Sequence, residues 1–213
     1  MGYDEAAAGY DRAHGGGRSQ KRFARIEAPI LAATRGAGAV LEVGVGTGRL
    51  LSQVAAPLRV GIDPSAGMLE RASEKPGLSL VRADAHHLPF ADASFDAVIA
   101  GKGVFRYLSA AAAFAECARV LKAGGRLAIH QYSAMTWSLK QLFGREASSP
   151  EVRAMHVESP SALEAGARAA GFSSVRSHLF RSIRFYPYAL EIPRLIAGRW
   201  WSHIVLVARR SNN

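Results

Sequence analysis

Short apolar runs alternate with longer stretches of helical periodicity along most of this chain. After MGYDEAAAGYD and the glycine joint at Gly15–Arg18, apolar positions recur at helical spacing over Ser19–Thr34, and RGAG supplies a stop. AVLEVG is short and apolar, TGRLLSQVAA is helical, and LRVGID is β-like. SAGMLERASE reads as a helix with Ser65 as its N-cap. LSLVRAD and FDAVIAG are β-like, AAAAFAECARVLK is helical, and GRLAIHQY is β-like. SPSALEAGARAAG predicts a helix with a Ser161–Glu164 capping box and Gly171 as its stop. SSVRSHLF and HIVLVAR add two strands with no helix between them. The alternation predicts an α/β fold: a doubly wound, mostly parallel sheet with helices on both faces and an antiparallel final strand.

Length changes little: 213 residues fit a single domain able to bury a full core. The one cysteine, Cys117, excludes an intrachain disulfide and lies in an alanine-rich helical pattern, which fits a small buried role. No apolar run reaches membrane-spanning length and the first residues lack a signal-peptide pattern, so the expected location is the cytoplasm. The net charge of +10 raises the question of polyanionic partners. It is uneven, since from Arg168 onward Glu191 is the one acid among many arginines.

The candidate chemistry sits first in LEVGVGTGRLL, where Gly44, Gly46 and Gly48 follow a strand. A strand-to-helix turn of this kind aims backbone N–H groups and a helix end into the ligand crevice of an open α/β sheet. The dinucleotide pattern G-x-G-x-x-G requires glycine where Arg49 stands, and the P-loop pattern is absent. Close packing of helix on strand is the alternative use of these glycines. Asp63 ends the second strand nineteen residues after Gly44, placed to accept both hydroxyls of a ribose or to cap the next helix. Asp84 follows the third strand, where it could accept an adenine amino group while the Ala85 amide donates to the ring. Asp96, inside SFDAVIA, reads instead as ordering the entrance to strand four.

VLEVGVGTGRLL, GIDPSAGMLERA, RADAHHLPFADASFDAVIA and ECARVLKAGGRLAI, in that order, resemble the small class I S-adenosylmethionine (SAM)-dependent methyltransferases of the "type 11" domain group. The likeness covers about Ala39 to Ile129 and implies a Rossmann-like seven-stranded sheet with a reversed final hairpin. It implies SAM as cofactor and S-adenosylhomocysteine as product, and a small-molecule methyl acceptor is the expectation adopted with it. Glu42 and the turn at Gly44, Gly46 and Gly48 would hold the methionine end of SAM, Asp63 the ribose, and Asp84 with Ala85 the adenine. Lys102 would lie beside the methionine moiety. YDEAAAGYD resembles an N-terminal element that closes over the cofactor, which makes residues 1–18 a flexible lid segment with Tyr10 its candidate contact. His86 and His87 stand where the family varies; with no further ligand motif around them, no metal is expected.

A sulfonium is an activated methyl donor, so the protein must exclude water and align the acceptor; a base is needed only for a protonated acceptor. Acceptor-side residues are expected beyond strands four and five: Phe105, Arg106 and Tyr107 in GKGVFRYL, and His130, Gln131 and Tyr132. His130 is the candidate base, with a structural histidine ending an apolar strand as the alternative. Residues 132–160, with Trp137, Lys140 and Phe143 at helical spacing, are expected to cap the acceptor pocket. FRSIRFYPYALEIPRLIAGRWW interleaves arginine with aromatics. That pattern leaves open an RNA methyltransferase or RNA-binding protein, although a hairpin arm with inward aromatics is favoured and no RNA-binding module is recognisable. An NAD(P)-dependent oxidoreductase is the third reading, and Arg49 speaks against it.

Overall fold

In a computed structural model the described residues are Asp4, Ala7, 17–101, 103–132, 159–180 and 203–212. The first helix, α1 (Gly17–Ala33), buries Phe23, Ile26, Glu27, Ile30 and Ala33, the i, i+3, i+4, i+7 spacing of a single face. Strands β1 (Ala39–Val43), β2 (Leu58–Asp63), β3 (Ser79–Arg82), β4 (Phe95–Ala100), β5 (Leu121–Tyr132), β6 (Phe172–Phe180) and β7 (His203–Arg210) form one sheet in the order β3-β2-β1-β4-β5-β7-β6. The pairs β1–β2, β1–β4, β2–β3 and β4–β5 are parallel, and β7 runs antiparallel to both β5 and β6. The sheet is thus the doubly wound, mostly parallel one that the sequence predicts. Its strand order reverses between β1 and β4, which opens a crevice at their carboxyl ends.

Two apolar layers cover the sheet because successive side chains of buried parallel strands point to opposite faces. Val40, Ala97, Ile99, Ala128 and Val205 join Ile26 and Ile30 of α1 on one face. Leu41, Val98, Leu127 and Ile129 join Phe114 of α3 (Ala110–Val120) and Leu163 of α4 (Pro160–Ala169) on the other. Cys117 is buried in that second layer, and burial pushes its thiol up to about 12, so it remains an uncharged packing group.

Two local expectations are corrected. TGRLLSQVAA forms no α-helix; only a 3-10 turn at Leu51–Gln53 follows the glycines. The carbonyl of Arg49, which an α-helix would offer to the Gln53 amide, instead accepts from the Gln53 side chain and the Ser52 hydroxyl. The cap of α4 is Ser159, whose Oγ accepts from the Ala162 amide at 3.1 Å, and not Ser161. Pro160, pre-set for the first helical position, moves the start two residues forward, and Glu164 pairs with Arg168.

Two polar clusters fix the loops at the site. Arg119 of α3 binds Glu116 through two nitrogens, reaches Asp92, and donates to the carbonyls of Leu88 and Phe90. Its whole donor fork is used to hold the segment between β3 and β4. Asp96 accepts from the Gly38 and Ala39 amides at 3.0 and 2.8 Å and from Lys122 at 2.7 Å, so it ties the entrances of β1, β4 and β5 together. This is the ordering role expected for it. The Lys122 ammonium, followed by the two backbone amides, holds the Asp96 carboxyl below its ordinary value. A folded pKa below the unfolded one gives a contribution that is complete above about pH 4 and lost as pH falls through the lowered value. Asp96→Asn is therefore expected to lower the melting temperature at neutral pH and to flatten its fall in acid. Parallel curves for the two proteins in a pH series of thermal melts would refute this.

Candidate functional site

The turn after β1 sits at the strand-order reversal and lines a cavity of about 400 Å³. Gly44, Gly46 and Gly48 all have positive φ, at 68°, 52° and 76°, but they face different surroundings. A Cβ at Gly44 would lie 2.5 Å from Val104 Cγ2, and one at Gly48 would lie 2.9 Å from Leu78 Cδ1. Those two glycines admit neighbouring loops. A Cβ at Gly46 would meet nothing within 4 Å, and Gly46 lines the cavity, as Gly44 does and Gly48 does not. The expected row of amides at a helix end is absent. Val45 donates to the Ile62 carbonyl, Gly46 to Asp63 and Gly48 to the Val45 carbonyl. With these amides bonded within the protein and no α-helix behind them, the turn is no phosphate cradle.

Asp63, at the carboxyl end of β2, accepts from Gly46 N at 2.9 Å through Oδ2 and from Ser65 N at 3.0 Å through Oδ1. Burial raises its pKa, against the pull of these two amides. Each oxygen keeps a lone pair for a ligand hydroxyl. Ser65 caps α2 (Ala66–Ser73), as predicted, by accepting from Met68 N at 3.1 Å. Its hydroxyl donates to Asp4 at 2.6 Å, and Gly67 N donates to the same carboxylate at 2.9 Å. Asp4 is thereby tied to the turn that follows Asp63.

Asp84 and Ala85 line the same cavity just beyond β3. Asp84 Oδ1 accepts from His86 N at 2.9 Å and from His86 Nδ1 at 2.8 Å, and the His86 amide is the main reason its carboxyl titrates below the ordinary range. His86 Nε2 accepts from Ser109 N at 3.1 Å. An amide can only donate, so the imidazole proton belongs on Nδ1 and both ring nitrogens are engaged. Among the described residues no cluster of three His, Cys, Asp or Glu side chains could hold a metal.

The loop after β4 forms the opposite wall. Gly103, at φ 71°, lets Tyr132 approach where a Cβ would lie 2.6 Å from the ring, and Phe105 is buried against Phe114. Arg106, Tyr107 and Leu108 line the cavity. The Arg106 guanidinium lies 4.7 Å from the Tyr107 ring centre and 4.8 Å from that of Tyr132, and Nη2 donates to the Tyr107 hydroxyl at 2.7 Å. Tyr132 stands behind this layer, outside the lining. His130 is also outside it, 1% exposed, with Nε2 at 3.0 Å from His203 Nδ1. Burial, then His203 and Arg106, push its pKa down to about 3, so it is neutral near pH 7. Gln131 is buried beside it. Lys102, Tyr10 and Trp137 lie outside the described residues, as do Lys140 and Phe143.

Glu42, next to last in β1, is buried on the cavity wall beside Gly101. Two further lining residues, Glu27 and Arg49, form an ion pair: Arg49 Nη1 donates to Glu27 Oε2 at 3.0 Å and Nη2 to Oε1. Sequence reasoning assigned Arg49 no partner and missed Glu27. The available signal was a carboxylate on the apolar face of a helix, between Ile26 and Ile30.

A family model described as "Methyltransferase domain" matches residues 41–129. The demethylmenaquinone methyltransferase of Renibacterium salmoninarum is 33% identical over 189 residues, covering 86% of this chain and 74% of that protein. The corresponding protein of Beutenbergia cavernae is 38% identical over 109 residues, 49% of this chain and 45% of its own. The chain thus spans less than half the length of that second relative. In fold, a SAM-dependent methyltransferase structure from Thermotoga maritima superposes with a TM-score of 0.71 at 21% identity, over 98% of each chain.

Two stability outcomes follow from this geometry. Gly46→Ala is expected to cost about 1 kcal/mol in urea denaturation, the strain of alanine at positive φ, and Gly44→Ala more, because of Val104. Arg49→Met, which strands the buried Glu27 carboxylate, is expected to cost about 3 kcal/mol, and the double change Glu27→Met with Arg49→Met less than that. A double variant weaker than the single one would contradict the pairing.

Proposed function

Since this chain belongs to the class I SAM-dependent methyltransferases, we propose that it transfers the methyl group of SAM to a small-molecule acceptor and releases S-adenosylhomocysteine. The observation that carries this reading is the convergence of Asp63, Asp84 with Ala85, and the Gly46 turn on one cavity of nucleoside size. The cradle fits the cofactor: open space above Gly46 admits a ligand against the backbone, and one carboxylate ends β2 while another stands beyond β3.

Asp63 would accept the two ribose hydroxyls on the lone pairs its backbone bonds leave. Asp84 would accept the adenine amino group, with the Ala85 amide donating to the ring. Glu42 and the Gly44–Gly46 turn would face the amino-acid end, with Gly48 supporting the turn through its packing on Leu78. Lys102, next to Gly101 in the chain, and Tyr10 belong to this proposal by sequence position alone. The bound cofactor supplies a methyl group already activated by a sulfonium. The protein's share is then to exclude water and to hold the acceptor in line, the wall formed by Val104, Arg106, Tyr107 and Leu108 serving as the acceptor side. Tyr132 supports that wall from behind, and Trp137 is assigned to the acceptor cap by sequence position alone. No step is assigned to His130, which is buried away from the cavity. The relatives' names suggest an acceptor with an apolar ring body, such as a reduced quinone. No described helix is long and apolar enough to cross a membrane, and a cytoplasmic location is part of the proposal.

Titration calorimetry with SAM and with S-adenosylhomocysteine tests it directly. Both are expected to bind, and Asp63→Ala is expected to weaken each on the order of a hundredfold, the loss of two charged hydrogen bonds. Failure of both ligands to bind the native protein sinks the proposal.

A further inference from the structure

One imidazole ring joins the two walls of the cavity. Asp84 and His86 line it on the segment after β3, and Arg106, Tyr107 and Leu108 line it on the loop after β4. Ser109 follows Leu108 directly and is the N-cap residue of α3. His86 Nδ1 lies 2.8 Å from Asp84 Oδ1, and its Nε2 lies 3.1 Å from the Ser109 amide nitrogen. The first bond needs a ring proton and the second a ring lone pair, so the neutral Nδ1–H ring satisfies both ends at once. The bonds also sort the two oxygens of Asp84. The His86 amide, at 2.9 Å, and the His86 ring both meet Oδ1, which leaves Oδ2 for a ligand. The Asp84 side chain is 66% exposed, so these two bonds set its direction and packing does not. The rest of the segment is held to later turns of α3, by Arg119 at the carbonyls of Leu88 and Phe90 and by Glu116 at the Leu88 amide. His86 makes the join that borders the cavity.

Resting on the methyltransferase reading, we propose that His86 is a positioning residue that couples the adenine end of the cofactor to the acceptor wall. Towards the cofactor, it holds Asp84 with Oδ2 presented to the adenine amino group. Towards the acceptor, it passes the same constraint through the Ser109 amide to the loop that carries Arg106 and Tyr107. A base that engages Asp84 restrains the imidazole at Nδ1, and a planar ring restrained there is restrained at Nε2 as well. The wall is therefore best ordered once the nucleoside is seated, which favours binding of SAM before the acceptor. Coupling of this kind is reciprocal, so an occupied acceptor side also tightens the hold on the cofactor. The Arg119 fork stays in place when His86 is altered, so the segment keeps its second anchor and only the end beside the cavity loosens.

Two substitutions in the full chain separate the two bonds. Asparagine places a donor where Nδ1 stands and cannot reach Ser109; glutamine places an acceptor where Nε2 stands and gives up the ring bond to Asp84. Calorimetry with adenosine and with inosine, which carries a carbonyl in place of the amino group, reads the Asp84 side. Amide hydrogen exchange at Ser109, with and without S-adenosylhomocysteine, reads the wall. Native protein is expected to prefer adenosine by at least about tenfold, and S-adenosylhomocysteine to slow exchange at Ser109 by about fivefold. His86→Asn is expected to keep the preference within about twofold while exchange at Ser109 becomes faster and indifferent to the ligand. His86→Gln is expected to keep the exchange of unliganded Ser109 near native while the preference falls to about threefold or less. Identical behaviour of the two variants overturns this inference alone. So does native protein that binds S-adenosylhomocysteine yet shows no preference for adenosine, or no slowing at Ser109. Failure of native protein to bind either adenosine or S-adenosylhomocysteine overturns the underlying function. Should a variant fail to fold, the ring nitrogen-15 signals of His86 in native protein decide. A proton on Nδ1 and a bare Nε2 that shifts with S-adenosylhomocysteine support the coupling, and a proton on Nε2 or unmoved signals overturn it.

Discussion

The carboxylate of Asp63 is the group on which the arrangement of the site depends. It takes one amide from the turn after β1, at Gly46, and one from the turn after β2, at Ser65. Two strands that are merely neighbours in the sheet thereby acquire a fixed relation between their carboxyl-end loops. Burial raises the Asp63 pKa, so keeping it ionised is costly, and the two amides offset part of that cost. A carboxylate in this condition is half-solvated by the protein, and its remaining lone pairs can be matched by the hydroxyls of a ligand.

Other contacts extend this frame outward. The loop after β4 meets the glycine turn where Val104 fills the space left by the missing side chain of Gly44. The segment after β3 is held by the Arg119 fork, which sets the platform carrying Asp84 and His86. Asp4 bonds to Ser65 and Gly67, on the same turn that Asp63 organises. Three loops from three strands are therefore held by side-chain-to-backbone bonds, which give a loop definite geometry without a regular ladder.

The division between cavity wall and buried support separates residues that sequence treats alike. Arg106 and Tyr107 reach the cavity, while Tyr132 and His130, two strand positions apart on one face of β5, stand behind it. His130 meets His203, the first residue of β7 and more than seventy residues away in the chain. This partnership explains why a histidine can end a buried apolar strand: its ring is hydrogen-bonded and held neutral.

Periodicity alone determined the order of the strands, the mostly parallel sheet with its reversed last strand, and the loops in which chemistry would sit. Strand and helix patterns are local consequences of which side chains must be buried, so they can be read along the chain. Asp63 and Asp84 were legible for the same reason, being polar residues at the ends of apolar strands. The Glu27–Arg49 pair, the separate tasks of the three glycines and the retreat of His130 from the cavity were decided by tertiary structure. Each depends on distances between elements far apart in sequence, as with Gly48 against Leu78 and Gly44 against Val104. The helix expected after the glycine turn failed for a related reason: side chains of Ser52 and Gln53 took the carbonyl that local propensity assigned to the backbone. A linear pattern records which residues seek burial, and only the packed chain records which of them meet.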